Sequence, residues 1–429
     1  VQQFRSRLFA DPADDDTSGS ESGIGGLRVR VLQQGHRSAK RTALTKAPPD
    51  RVGSFGWAEF RQTFHRSTRR CVQFATSILP INISGRLRIA ALVAVAGLVV
   101  TSCGSDASSN ETSDAASGGG ETSQLSPDEL VVVTTVAPIT SIAANIIGDR
   151  AQIVGIVPEG TNSHTFEPPP SAAELLSVAD VVFINGLQLE EPTKNLAEAN
   201  LGDGVPLVEL GDETISPEQY KYDFSFPVSE GKPNPHLWTD PTLVKVYAGL
   251  IRDTMIDVDP AGASEYDANF EAFSALVDDF DAKAAEAFAT IPADQRKLVT
   301  YHDAYAYFAD TYGFTVVGAV QPADFGEPTA SDVITLIEQI RAENVPAVFG
   351  SEVFPSPVLE QIANETGAQY VDDLRDDDLP GAPGEPDHSW LGLMKFNFIV
   401  MTDALGGDSS ALTNFDVRDT AEDSASYPQ

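Results

Sequence analysis

Beyond residue 129 the chain alternates between two hydrophobic rhythms. "LVVVTTV" (Leu130 to Val136) is an unbroken apolar and β-branched run, as expected of a strand buried on both faces. "PITSIAANIIGD" follows with helical spacing and a stop at Gly148, and "AQIVGIVP" reads as a second strand. The alternation continues through helix "SAAELLSVA", strand "DVVFING", a short helix over Glu191 to Asn200 and strand "PLVEL". Strands separated by helices imply a parallel sheet covered on both faces.

After "HLWTDP" the pattern becomes purely helical. Asp240 and Pro241 read as the cap and first turn of one helix. In the next, Tyr266, Phe270, Phe273, Val277, Phe280, Ala284 and Ala287 step by four and three, a single apolar stripe of about seven turns. Ser264, with Asp267 three residues later, reads as its start. A second α/β set then appears: strand "KLVTYH", helix "AYAYFADTYG", strand "TVVGAV", a helix over Ser331 to Ala342, strand "PAVFGSE", helix "PVLEQIANETG" and strand "AQYVDD". A helix around "WLGLMKFNFIVMTDAL" closes the set. The expected fold is α/β: a first lobe over 129–262, one long linking helix over 263–290 and a second lobe over 291–407, each lobe with its own parallel sheet. Such folds bind ligands at strand ends, here in the cleft between lobes. The acidic segment 408–429 is expected to lack structure.

Charge divides the chain unevenly. Up to Gly85 the net charge is +6, and from Gly104 onward it is −43. So acidic a body excludes nucleic acid as a partner of its surface. Between the two parts, Arg86 and Arg88 precede an apolar run from Ile89 to Val100, too short to span ~30 Å of hydrocarbon as a helix, which takes ~20 residues. A basic flank, short apolar core and small exit residues describe a secretory signal over 86–103, and "VTSC" resembles the lipobox of bacterial lipoproteins. That resemblance makes Cys103 the lipidated first residue of the mature chain and its anchor to the membrane. Residues 104–128, rich in Ser, Gly, Asp and Thr, read as a flexible tether. Residues 1–85 lack sustained periodicity and lie upstream of a signal that normally begins a chain. They are expected to be spurious or disordered, with translation starting nearer the signal, at a position such as Val72. With Cys71 upstream and Cys103 lipidated, the mature body has no thiolate, so any metal must be held by His and carboxylate.

Four of the six histidines fall in the mature body. His164 follows the second strand in "GTNSHTFEPPP", His236 lies in the loop "KPNPHLWTDP", and His302 ends the first strand of the second lobe in "VTYHDAY". Asp372 ends that lobe's last strand in "QYVDDL". A single loop histidine is ordinarily of no special consequence. Three imidazoles and a carboxylate at strand ends or adjoining loops of two lobes make a sufficient four-coordinate set for a borderline divalent metal. Asp373 adjoins Asp372 and points to the opposite strand face, so only one of the two serves comfortably. Glu352, ending "VFGSE", is a candidate for orienting a ligand imidazole from behind. Asp240 and Asp303 read first as helix caps, and His388 as a surface loop residue.

These segments carry a resemblance. "VVTTVAPITSIAANIIGDRAQIVGIVPEGTNSHTFEPPP", "NPHLWTDP", "VTYHDAYAYFADTYGF" and "IANETGAQYVDDL" resemble the zinc/manganese solute-binding lipoproteins of bacterial ABC importers (the cluster A-I metal-binding proteins), in order, from Leu130 to about Leu405. The resemblance implies two lobes bridged by a rigid helix, a metal between them on His164, His236, His302 and Asp372, and delivery to a membrane permease with its ATPase. It also implies an extracytoplasmic, lipid-anchored location and no enzymatic activity; a monomer is expected. Ser163 departs from the pattern, which commonly has proline before the first ligand. The loop before His236 carries no histidine, unlike many zinc-specific members, whereas His302 stands where manganese-selective members often have Glu. Three nitrogens favour Zn²⁺ over Mn²⁺, with manganese or iron as alternatives. Two other readings are a surface adhesin with a structural metal, and a zinc hydrolase using three ligands, a water and Glu352 or Asp303 as base.

Overall fold

The computed structural model describes Ser126 and residues 129–428, apart from Pro355 and Asp373. The expected upstream extension, signal, Cys103 anchor and most of the tether lie outside the described residues.

Two four-stranded parallel sheets form, each with its first strand inside the sheet. In the first lobe β1 (Leu130–Thr134) pairs with β2 (Ala151–Gly155) on one side and β3 (Val181–Ile184) on the other, and β4 (Leu207–Glu209) follows β3, giving the order β2-β1-β3-β4. In the second lobe β5 (Lys297–Thr300), β6 (Thr315–Ala319), β7 (Ala347–Phe349) and β8 (Gln369–Val371) repeat the scheme as β6-β5-β7-β8. Because the first connection runs to one side of the central strand and the next to the other, each sheet has a switch point where loops diverge at the carboxyl ends of its strands. All four strands of a sheet deliver their loops to the same edge.

Helices cover the faces. The first lobe carries α1 (Ala137–Ile147), α2 (Pro170–Leu176), α3 (Glu191–Asn200), the short α4 (Leu210–Thr214) and α5 (Pro241–Val258). Next comes α6 (Ala263–Ala289), followed in the second lobe by α7 (Ala306–Tyr312), α8 (Ala330–Glu343), α9 (Pro357–Thr366), α10 (Trp390–Ala404) and α11 (Ser410–Thr413). Asp240 caps α5 as expected, its Oδ1 accepting from the Thr242 N–H at 2.9 Å. The start of α6 differs from the reading: Gly262 precedes its first residue and no side chain caps it.

The apolar stripe of α6 explains how the lobes are joined. Tyr266, Phe273, Val277, Phe280, Ala284 and Ala287 are buried along it, with Phe270 partly so. Fully burying a side chain such as Phe contributes ~1.5–3 kcal/mol, so the face is a strong common anchor. One core cluster runs from Val132 and α1 in the first lobe, along α6, to Leu298, Phe349 and α10 in the second. Separate small clusters lie under α2 and α3 and under α8 and α9, on the opposite sheet faces. No helix among the described residues is long and apolar enough to cross a membrane.

The segment 408–429 corrects an expectation. It was read as unstructured from its charge, yet it forms α11 and then returns to the first lobe. Leu412, Phe415 and Tyr427 are buried in the core, and Ser426 bridges Val154 at the open edge of β2. Three apolar anchors among many acids suffice to dock it.

Candidate metal centre

Three loops at sheet edges meet between the lobes. His164 sits in the loop after β2, His236 in the loop before α5, and His302 two residues beyond β5. Their Nε2 atoms converge: His164 to His236 at 3.3 Å, His164 to His302 at 3.2 Å and His302 to His236 at 2.9 Å. A tetrahedral zinc with bonds of ~2.0–2.1 Å requires ligand nitrogens about 3.3 Å apart, so the triangle is close to a ligating one. Among the described residues these three form the one group of metal-ligating side chains this compact.

Local bonding aims the rings. The Asn234 amide oxygen accepts from the His236 backbone N–H at 3.1 Å and lies 2.8 Å from Nδ1. The Gln321 amide oxygen lies 2.5 Å from Nδ1 of His302. An amide oxygen only accepts, so each of these Nδ1 atoms carries the proton and Nε2 keeps its lone pair toward the centre. The His164 backbone N–H is held by Asn162 Oδ1 at 3.0 Å. The loop bearing His236 is stitched to the second lobe, because Thr239 donates to the Ala304 carbonyl, Tyr307 to the Asn234 carbonyl and the Trp238 indole to the Asp376 carbonyl.

Aromatic rings seal the group. Phe325 stacks on His164 with centroids 4.3 Å apart and planes 13° from parallel, and it does so with φ +56°, a conformation costly for a bulky residue. Phe226 lies 5.5 Å from His164, and Phe354 stacks on His302 at 5.6 Å. In this apolar setting burial lowers all three imidazoles, the charged form losing its water; His302 falls to about 4. His164 and His236 are lowered further by His302 nearby. The centre therefore presents neutral nitrogens at physiological pH, the state a metal binds.

Asp372 follows β8 and is exposed, outside the compact group; Asp373 lies outside the described residues. Glu352 makes no hydrogen bond to any of the three imidazoles. Its Oε1 instead accepts the backbone N–H groups of Asp376, Asp377 and Asp378, and burial, then the charges of Asp378 and Asp377, raises its pKa. Asp303 is no helix cap, since α7 starts only at Ala306. It accepts from the Ser225 N–H at 2.9 Å, and burial with the neighbouring Asp223 charge keeps it protonated far above the usual carboxylate range. His388 is buried, not a surface residue: it packs edge-on to Tyr427 and sits 3.8 Å from Glu159, away from the centre. The sequence reading missed Asn234 and Gln321. Asn234 had a signal, an Asx residue two before the ligand; Gln321 had none.

The model of the family described as zinc-uptake complex component A, periplasmic, matches residues 132–404. The manganese-binding lipoprotein MntA of Halalkalibacterium halodurans is 31% identical over 269 residues, 62% of this chain and 86% of the relative. The iron-binding protein YfeA of Yersinia pestis is 32% identical over 277 residues, 64% of this chain and 85% of the relative. Among solved structures, the periplasmic zinc-binding protein TroA of Treponema pallidum superposes with a TM-score of 0.58 at 25% identity, covering 65% of this chain and 99% of that one.

Proposed function

The chain belongs to the family of periplasmic zinc-uptake component A proteins, and from that premise we propose that it captures Zn²⁺ outside the cytoplasm on His164, His236 and His302 and passes it to a membrane permease driven by an ATPase. It is a substrate-binding protein of a metal ABC importer and not an enzyme. The relatives are named for manganese, iron and zinc, so the metal rests on the donors. The observation that carries zinc is the convergence of three neutral imidazole nitrogens, those of His236 and His302 buried and that of His164 half-buried, a donor set that Zn²⁺ prefers and Mn²⁺ binds weakly.

Asp372 is our fourth ligand. It follows β8, whose carboxyl end lies at the same edge of the second-lobe sheet as that of β5, which leads to His302, and its carboxylate is exposed. Four protein donors leave no open position for an activated water, in keeping with capture and release of the ion as cargo. Cys103 is proposed as the lipid attachment point, and the functional unit as a monomer.

The test is a competition. Metal-stripped protein is offered equal Zn²⁺ and Mn²⁺, and bound ions are counted by native mass spectrometry beside His236→Ala. One zinc, lost in the variant, is the expected result. One manganese held against zinc would overturn the zinc assignment, and no stoichiometric metal would overturn the function.

A further inference from the structure

The residue before the first proposed ligand, Ser163, has a partner on the other lobe. Ser163 is buried, and its hydroxyl donates to Asp377 Oδ2 across the cleft at 2.5 Å. Its backbone N–H stabilises the same carboxylate. Proline offers neither a hydroxyl nor an N–H. Where proline would fix the loop by its own ring, serine fixes it by tying the loop to the other lobe.

The tie is one of three between the loop after β2 and the segment after β8. The Gly160 N–H donates to Asp378 Oδ2 at 2.7 Å, and Glu159 Oε1 accepts the Leu379 N–H at 2.9 Å. The second-lobe side is itself immobilised, because Glu352 gathers the N–H groups of residues 376–378 and Ser351 donates to Asp376 at 2.7 Å. Of the three ties, Ser163 alone is adjacent to a ligand, so a shift there is passed directly to the His164 ring. Asp377 Oδ1 is buried without a partner, so the carboxylate's hold on this loop rests on Ser163.

We propose that Ser163 and Asp377 form an interlobe latch that positions His164 and sets the rate at which the bound metal is released. Both are positioning residues: neither is a ligand, and each acts through the loop that carries one. Opening the cleft must break this buried, charge-assisted bond, so the latch retains the ion until the lobes part. The inference rests on the metal-capture reading.

The test measures release of Zn²⁺ from the loaded full chain into excess chelator by stopped flow. Ser163→Ala is expected to release about tenfold faster, the loss of one hydrogen bond to a charged group. Ser163→Thr, which keeps the hydroxyl, is expected to stay within about twofold of the unsubstituted chain. Ser163→Ala combined with Asp377→Asn should release no faster than the faster single variant, because the two residues share one interaction. A simple structural role would lower the melting temperature of the metal-free chain without separating Ala from Thr in release. Unchanged release in Ser163→Ala, or equal acceleration in Ser163→Thr, would overturn the latch while leaving metal capture intact. Failure of the unsubstituted chain to bind Zn²⁺ at all would overturn both.

Discussion

Replacing Asn234 by Ala should weaken metal binding without removing a ligand. The side chain is buried and makes four hydrogen bonds. Its oxygen takes the His236 backbone N–H and Nδ1–H, and its nitrogen donates to the Asp303 carbonyl at 2.7 Å and to Asp223 Oδ2 at 3.1 Å. Without the amide, His236 has no acceptor for Nδ1–H, so the tautomer and ring direction that expose Nε2 are no longer imposed. Loss of such an outer partner lowers metal affinity by about 10–100-fold, or about 1.4–2.7 kcal/mol. The orphaned Asp303 carbonyl and Asp223 carboxyl cost the metal-free fold a further ~1–3 kcal/mol. The two effects are measured separately, by competition with a chelator of known affinity and by denaturant unfolding of the stripped protein. Destabilisation with a zinc affinity within about threefold of the unsubstituted chain would refute the argument, because the ring would then be aimed by packing against Trp238 and Phe226 alone.

Gln321→Ala should likewise weaken zinc binding about tenfold through His302, checked by the same competition. Zinc affinity should hold as the pH falls through 6.5, the ordinary histidine value, and collapse only toward about 4, the His302 value; titrated competition reads the midpoint. In the stripped chain the same depressed imidazole contributes stability that is present above 6.5 and lost between there and about 4, worth about 3 kcal/mol and visible in acid unfolding. Glu352 has the opposite sign: its raised pKa gives stability that is full below the usual carboxylate range and lost as the pH rises past neutrality. Glu352→Gln should therefore raise the melting temperature in mildly alkaline buffer and leave it unchanged only below the ordinary carboxylate value, about pH 4. Phe280→Ala, removing a fully buried ring between Phe398 and Phe415, should cost ~3–5 kcal/mol in urea unfolding with little change in zinc affinity.

The lobes and the linking helix were legible because their signals are local. A β-branched run such as "LVVVT" and a stripe such as Tyr266, Phe273, Val277 and Phe280 carry their period in consecutive residues. The meeting of the three histidines was legible because each falls in a loop that leaves or enters such an element, where loops of parallel sheets converge. What stayed hidden depends on distance. Gln321 meets His302 only because β6 lies beside β5, and Asp377 meets Ser163 only because the lobes face one another. The closing segment was misread because its charge is counted along the chain, whereas docking is decided by a few anchors such as Phe415 and Tyr427. Asp303 and Glu352 were read as a cap and a ligand's neighbour from sequence adjacency, and both turn to backbone N–H groups that folding brings to them.

The chemistry of the centre follows from what surrounds it. Three imidazoles within hydrogen-bond distance repel one another once charged, and the rings of Phe226, Phe325 and Phe354 remove the water that would soften that repulsion. The fold resolves the conflict by keeping the imidazoles neutral, with two Nδ1–H groups committed to amide oxygens. An arriving divalent ion then has few protons to displace and finds lone pairs already aimed. The same arrangement makes acid a poor release signal, since the nitrogens resist protonation until well below neutral pH. On the proposed function, release then follows from moving a donor rather than titrating one. In the proposed centre His164 is the donor placed to move, because it stands on a loop of one lobe, while His302 belongs to the other lobe and the loop bearing His236 is sewn to it by Thr239, Tyr307 and Trp238. Parting the lobes would draw one nitrogen out of three away from an ion held there.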